Sequence, residues 1–202
     1  NGDTAVVITL SSKLSGTYQS ACIAAEDFEG KVFVVDSMTA TIGERLLLLY
    51  GIELVNEGLD AATVAAKLDA VKDRVCIYAR LDTLEYLRKG GRISGATAVV
   101  GSMLNIKPLI GVQDGVVANV GKARGPKAAD KQLRELIAKS GGIDFSKPLC
   151  AAYSGNEDDN LKTFLADSTD TLCGTEAPIA TVGCVIGAHV GPGAVAMAYF
   201  KN

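Results

Sequence analysis

The sequence predicts a two-lobed α/β protein, in which a parallel-sheet first lobe packs on a mixed α/β second lobe. Apolar, β-branched runs alternate with helical patterns over roughly the first 75 residues, an order typical of a parallel sheet covered by helices. Farther along, two β-like runs flank an Asp-Gly turn, which indicates an antiparallel hairpin. With 202 residues, 48% of them hydrophobic, the chain can bury a substantial core, and we place the two lobes at 1–75 and 76–202.

The first lobe is predicted from the alternation of two patterns. The spacing of apolar residues predicts strands over 5–10, 31–36 and 74–79, and helices over 15–25, 41–57 and 61–73. Gly58 follows the second helix, and Asp60 precedes the third as an N-cap. Both boundaries therefore carry ordinary capping residues.

The second lobe mixes hairpin and helix patterns. In chain order we predict short helices over 81–95 and 96–105, a hairpin over 107–123, a helix over 125–140 opened by Pro126, a strand over 148–155, a helix over 158–167, and strands over 178–183 and 194–200.

Charge and cysteine content exclude several classes of protein. The formal net charge is −3 and no basic cluster is longer than "RKGGR", so we expect no nucleic-acid partner. Five cysteines are spread along the chain without histidine pairs, which argues against a zinc site or a disulfide framework. We expect reduced, mostly buried thiols.

The apolar runs are too short for a membrane protein. The longest, "RLLLLYGIELV", contains Glu53 and cannot span a bilayer, and the first residues lack a signal-peptide pattern. We therefore expect a cytoplasmic protein without an integral membrane segment.

The stretch "LSSKLSGTYQSA" places three serines and a glycine between a predicted strand and a predicted helix. A helix that starts there presents unpaired N–H groups at the carboxyl edge of the sheet. Ser11, Ser12 and Ser15 can donate hydrogen bonds, and Gly16 allows close approach of the backbone, so the stretch suits a carboxylate or a phosphate. The alternative is that one serine caps the helix and the others fill a turn. No P-loop or dinucleotide-binding glycine pattern is present.

The single histidine lies in "AHVGPG", where surrounding glycines and a proline predict a tight turn. If His189 faces Ser15, its imidazole can donate a hydrogen bond to an anion. The same pair also fits a small Ser/His esterase or acyl transferase, although the Gly-x-Ser-x-Gly elbow of that class is missing. A structural histidine is the third alternative.

Cations cluster in "LRKGGRIS". Arg92 follows a Gly-Gly pair and can present its guanidinium to a phosphate or a partner carboxylate, whereas Arg88 and Lys89 resemble ordinary charges at a helix C-terminus. The alternative is a helix C-cap with solvated cations. Lys107, between apolar residues, either follows the wall of a groove or ends a helix before Pro108.

Four motifs together, "LSSKLSGTYQSA", "LEYLRKGGRISG", "LNIKPLI" and "AHVGPGAVAMAYF", resemble the DegV family, which includes the fatty-acid-binding subunits of bacterial fatty acid kinase. The resemblance implies two lobes that hold one long-chain fatty acid, its tail buried and its carboxylate between the lobes. By motif, Ser15 and His189 resemble the carboxylate-binding residues, and Arg92 resembles an arginine linked to the kinase. Ser11, Ser12 and Gly16 belong to the same turn.

The resemblance also implies a division of labour between proteins. We expect a non-catalytic subunit with no metal or other cofactor, which presents its fatty acid to an ATP-dependent kinase for acyl-phosphate formation. The segments 40–54 and 95–105 are candidate walls for the acyl chain, and they are equally good as ordinary core.

One feature departs from the family pattern. Members normally open with a strand carrying Thr-Asp-Ser and continue with a Thr-Ser-Gln-Pro segment, whereas this sequence begins at "NGDTAVVITL". We therefore expect a truncated first lobe with an unpaired sheet edge or an exposed apolar face. A homodimer would cover that surface.

Overall fold

The computed structural model describes residues 2–93 and 105–202. The first lobe contains β1 (Ala5–Thr9), α1 (Thr17–Ala25), β2 (Val32–Asp36), α2 (Ile42–Asn56) and α3 (Ala61–Val71). Strands β1 and β2 pair in parallel, as predicted, with Ala5 opposite Val32 and Thr9 opposite Asp36. The Asp60 side chain accepts a hydrogen bond of 2.8 Å from the Thr63 N–H, which confirms the predicted cap of α3.

The second lobe is a six-stranded sheet with helices. Its elements are β3 (Val75–Arg80), α4 (Glu85–Lys89), β4 (Ile106–Gln113), β5 (Val116–Arg124), α5 (Pro126–Lys139), β6 (Leu149–Tyr153), α6 (Asp159–Ala166), β7 (Ile179–Thr181), α7 (Cys184–Val190) and β8 (Val195–Phe200). The strand order is β5-β4-β3-β8-β6-β7, with β6 and β7 parallel and the other neighbours antiparallel. The predicted fold class is confirmed. The helix predicted over 96–105 lies, apart from Asn105, outside the described residues.

The β4–β5 hairpin forms where the sequence predicts it. Asp114 and Gly115 have φ angles of 48° and 79°, the left-handed conformation that tight hairpin turns require. Aspartate and glycine tolerate this conformation better than other residues, so the turn and the strand register follow from this dipeptide.

Helix α2 joins the two lobes. It packs on β1 and also on β3, β6 and β8 of the larger sheet. The core around it combines Val35 and Leu46 with Ile77 and Phe200, and the Tyr50 and Phe200 rings meet edge to face with centroids 5.9 Å apart. Helix α2 packs on the sheets of both lobes, so the cores of the two lobes are continuous around it. The lobe boundary at residue 75 therefore stays a prediction.

The opposite face of the six-stranded sheet is covered by α5 and α6. Its core includes Leu133, Phe164 and Tyr199, all fully buried. Arg80 and Asp130 form a buried ion pair beneath α5, with 2.7 Å between Nε and Oδ1. This face is closely packed, and one buried ion pair links β3 to α5.

The first lobe leaves an apolar groove uncovered. Leu48, Ile52 and Val55 of α2 are each about half exposed beside β1. Within the described residues, β1 pairs along one edge only. An exposed apolar face was predicted, and its coverage by a second copy stays a prediction.

None of the helices in the ranges 2–93 and 105–202 is both long and apolar enough to cross a bilayer. All five cysteines are free. Cys150 is buried and Cys22 and Cys76 are half-buried, but Cys173 and Cys184 are exposed, so the expectation of mostly buried thiols is wrong for those two.

Candidate functional site

A cavity of about 240 Å³ lies between the two lobes. Its floor is the first-lobe side of the six-stranded sheet, and its cover comes from the loop after β1, the loop before α2, and α7. Most lining side chains are apolar. The polar ones among the described residues are Ser15, Thr17, Thr41, Arg92 and His189, and no carboxylate is among them.

Ser15 lies immediately before the N-cap of α1, which is Gly16. Its hydroxyl accepts a hydrogen bond from the Thr17 N–H at 3.3 Å and shares another with the Thr17 hydroxyl at 2.8 Å. The positive end of the helix dipole therefore lies beside a hydroxyl that lines the cavity, an arrangement that favours an anion.

The other three predicted site residues of this turn, Ser11, Ser12 and Gly16, lie outside the cavity lining. The buried Ser11 hydroxyl donates to the Gly115 carbonyl at 2.7 Å, so it links the first lobe to the hairpin turn. Ser12 is exposed, and its N–H donates to Asp36 Oδ1 at 3.1 Å. A Cβ built on Gly16 would meet nothing within 4 Å, so nothing approaches its backbone closely.

His189 lies in the last turn of α7, not in the tight turn that the sequence predicts. The prediction was wrong because Gly183 and Gly191 flank a short helix as its caps, and the turn begins only at Gly191. The imidazole lines the cavity, and its buried Nδ1 has no hydrogen-bond partner within the described residues. Because Nδ1 has no accessible surface, a ligand in the cavity would bind His189 through its other ring nitrogen, Nε2.

Two glycines bring the histidine and arginine motifs together. A Cβ on Gly90 would lie 2.1 Å from His189 Nδ1, and one on Gly191 would lie 2.4 Å from the Tyr86 ring. Only glycine permits these approaches of α4 and α7. The packing of His189 against the Gly-Gly turn thus depends on Gly90.

Arg92 connects that turn to the serine-rich loop. Its Nε donates to the Leu14 carbonyl at 3.3 Å, and its Nη1 donates to the Gly90 carbonyl at 2.7 Å. The side chain is exposed at the edge of the cavity. The structure therefore brings Ser15, Arg92 and His189 to one cavity from three separate motifs.

Lys107 has a different role from either prediction. It lies in β4, which continues through Pro108, so it does not end a helix, and it does not line the cavity. Its Nζ forms an ion pair with Asp82 Oδ1 at 2.6 Å.

Sequence reasoning missed two polar residues at the cavity, Thr17 and Thr41. Thr41 precedes α2 with φ 52° and ψ −120°, a strained conformation for a β-branched residue. A threonine in a turn gives no sequence signal that its backbone is strained or that it lines a cavity. The apolar floor was also missed, although the alternating small and large residues of "AVAMAYF" carry a signal for it.

The arrangement suits a ligand with an anionic head and an apolar body. The hydrogen bonds of the Ser15 hydroxyl go to Thr17, and none goes to His189. The contact between nucleophile and base that a Ser/His esterase uses is therefore not formed between these two residues.

Comparison with known proteins identifies the family. The family profile described as "Uncharacterised protein, DegV family" matches residues 1–202. A DegV domain-containing protein of Deinococcus radiodurans is 36% identical over 98% of this chain and 70% of its own length.

Solved structures agree with the family in fold. A DegV family protein from Thermus thermophilus, described with fatty-acid binding, is 33% identical with a TM-score of 0.83, over 98% of this chain and 71% of its own. A DegV lipid-binding protein from Thermotoga maritima is 29% identical with a TM-score of 0.80, over 97% of this chain and 68% of its own. The chain therefore belongs to the DegV family.

Proposed function

We propose that this protein binds a long-chain fatty acid in the cavity between its lobes, with the carboxylate at Ser15 and His189. The observation that carries the proposal is an apolar cavity whose polar lining, among the described residues, includes Ser15 and His189 and no carboxylate. The position of the His189 imidazole in the cavity lining supports placing an anion beside α7. The fatty-acid binding described for the Thermus thermophilus relative supports the same ligand class.

The energetics divide between head group and tail. Hydrogen bonds to a charged group contribute about 1.5–3 kcal/mol each and fix the orientation of the head. Each buried methylene contributes about 0.8 kcal/mol, so a long tail supplies on the order of 10 kcal/mol before the cost of ordering it. Affinity therefore comes mainly from the tail, and the two side chains select a carboxylate.

Fatty-acid titrations of head-group variants test this assignment. We expect Ser15→Ala and His189→Ala each to weaken the binding of a long-chain fatty acid by about 10- to 150-fold, because each removes a hydrogen bond to the charged head. Ser12→Ala is the matched control, since Ser12 is exposed and outside the cavity lining. Unchanged affinity in both cavity variants would contradict the head-group assignment.

The ligand itself is best sought in the purified protein. Native mass spectrometry, compared with the denatured mass, should detect a non-covalent adduct with the mass of a fatty acid. Protein that is empty and stays empty after incubation with fatty acids would contradict the proposed function.

We further propose that the protein is a non-catalytic subunit that presents its fatty acid to an ATP-dependent kinase. The motif resemblance supports this role, and so does the exposure of Arg92 beside the proposed head-group site. A cytoplasmic location follows from the need for ATP.

A reconstituted kinase reaction separates the two roles of the site. We expect Arg92→Ala to keep fatty-acid binding but to reduce acyl-phosphate formation, because the guanidinium contacts the partner. Arg88→Ala, an exposed arginine in the last turn of α4, is the control. An unimpaired kinase reaction with Arg92→Ala would remove that role.

A further inference from the structure

A row of small side chains crosses the floor of the cavity. In the register of the six-stranded sheet, Ala79 of β3 lies opposite Ala196 of β8, and Ala196 lies opposite Ala152 of β6. All three line the cavity, and we name them the alanine row. Residues directly opposite each other on neighbouring strands share one face of the sheet, so these three methyl groups point toward the first lobe together.

The alanine row continues into Ile110, and together they form a floor whose length suits an acyl chain. Ile110 of β4 lies opposite Ala79 and also lines the cavity. Neighbouring strands are about 4.8 Å apart, so the floor from Ile110 to Ala152 crosses three gaps and extends about 14 Å. Any apolar residue larger than alanine in the row would reduce the space above it.

Extending the proposed function, on which this inference rests, we infer that the alanine row determines the longest acyl chain that the protein binds. Ala196 is the central member, because it has an alanine of the row on each side. A larger side chain at this position occupies space that the last methylenes of a long tail would fill. The proposal makes Ala196 a specificity-determining residue.

A series of saturated fatty acids tests the inference. We would measure the dissociation constants of the acids from octanoic to octadecanoic for the native protein and for Ala196→Leu. Each methylene that enters the cavity should strengthen binding about fourfold, until added methylenes no longer fit. In Ala196→Leu we expect this gain to stop at a shorter acid than in the native protein.

Ala180→Leu is the matched control. Ala180 of β7 lies opposite Ala152, so it continues the same row on the same sheet, but it is not one of the cavity-lining residues. Its substitution should leave the limiting chain length at the native value. A native limit in Ala196→Leu, or the same shortened limit in both variants, would overturn the inference.

A second variant covers the case in which Ala196→Leu does not fold. Ala196→Gly removes a methyl group from the floor, so it should strengthen binding of the longest acids, and an unchanged series would overturn the inference. A native protein that binds none of the acids overturns the proposed function as well. A normal native series with unshifted variants overturns only the role of the alanine row.

Discussion

The two faces of the six-stranded sheet are built from the same strands and differ in the size of their side chains. On β8, Val195, Met197 and Tyr199 pack beneath α5 and α6, whereas Ala196, Ala198 and, at the end of the strand beside Tyr50, the larger Phe200 face the first lobe. None of the first set lines the cavity between the lobes, whereas Ala196 of the second set does. The sizes of alternating residues, rather than the strand topology, therefore decide on which face of the sheet the cavity lies.

The largest expected effect is on the packed face. Asp130→Ala leaves the buried Arg80 guanidinium without its partner, so we expect a loss of about 3–5 kcal/mol in the free energy of unfolding, measured with urea. Glu85→Ala, which breaks the exposed pair with Lys89, should cost far less, because solvent screens that pair. Similar losses in the two variants would show that the packed face is not held by its buried ion pair.

The next effect concerns ligand affinity on the cavity face. The Cβ of Gly90→Ala would overlap His189 Nδ1, so the imidazole must move. We expect fatty-acid affinity to fall by about 10- to 150-fold in calorimetric titrations, with little change in stability. Gly16→Ala is the control because its Cβ meets nothing, and equal affinities in the two variants would contradict the positioning of His189 by Gly90.

Adjacent alanines in β6 compare the faces directly. Ala151 is buried in the packed core, and Ala152 lines the cavity. We expect Ala151→Leu to lose about 1–3 kcal/mol of stability by overpacking, and Ala152→Leu to lose clearly less, because the cavity accepts the added atoms. Equal losses in denaturant unfolding would mean that the two faces do not differ in free space.

The smallest expected effect comes from the hydroxyl of Tyr199 on the packed face. The Tyr199 and Ser140 hydroxyls are 2.6 Å apart, and burial raises the pKa of Tyr199 far above its ordinary value, so the phenol stays protonated. Tyr199→Phe should cost about 0.5–1.5 kcal/mol. A double-mutant cycle with Ser140→Ala measures the pair, and a coupling energy of zero would argue against the bond.

Much of the fold could be predicted from local patterns. The Asp114-Gly115 turn predicted the hairpin, and β-branched runs predicted the strands β1, β2 and β3. The expectation that β3 continues the parallel order of the first lobe was wrong, because it pairs antiparallel with β4 and β8 in the larger sheet. Helix α7 was missed because seven residues with an internal glycine carry too little periodic signal. Its flanking glycines were interpreted as a turn, although they are also the residues that can end a helix.

The candidate site was less predictable than the fold. Ser15, Arg92 and His189 were singled out one at a time, but their approach depends on contacts between distant segments, such as Gly90 with His189. The alanine row depends on the register of three strands, which no local pattern specifies. Ser11 was grouped with Ser15 because a sequence does not show the direction in which each serine side chain points. The Ser11 hydroxyl points to the Gly115 carbonyl, whereas Ser15 lines the cavity.

The hydrogen bond from Ser11 to Gly115 has a consequence for the order of folding. It joins residues 104 positions apart, and it needs both the loop after β1 and the hairpin turn in their native conformations. Contacts of such long sequence separation carry a large loop-closure cost and tend to form late. We therefore expect the two lobes to dock near the end of folding. Ser11→Ala should then speed unfolding in stopped-flow experiments and leave the folding rate unchanged.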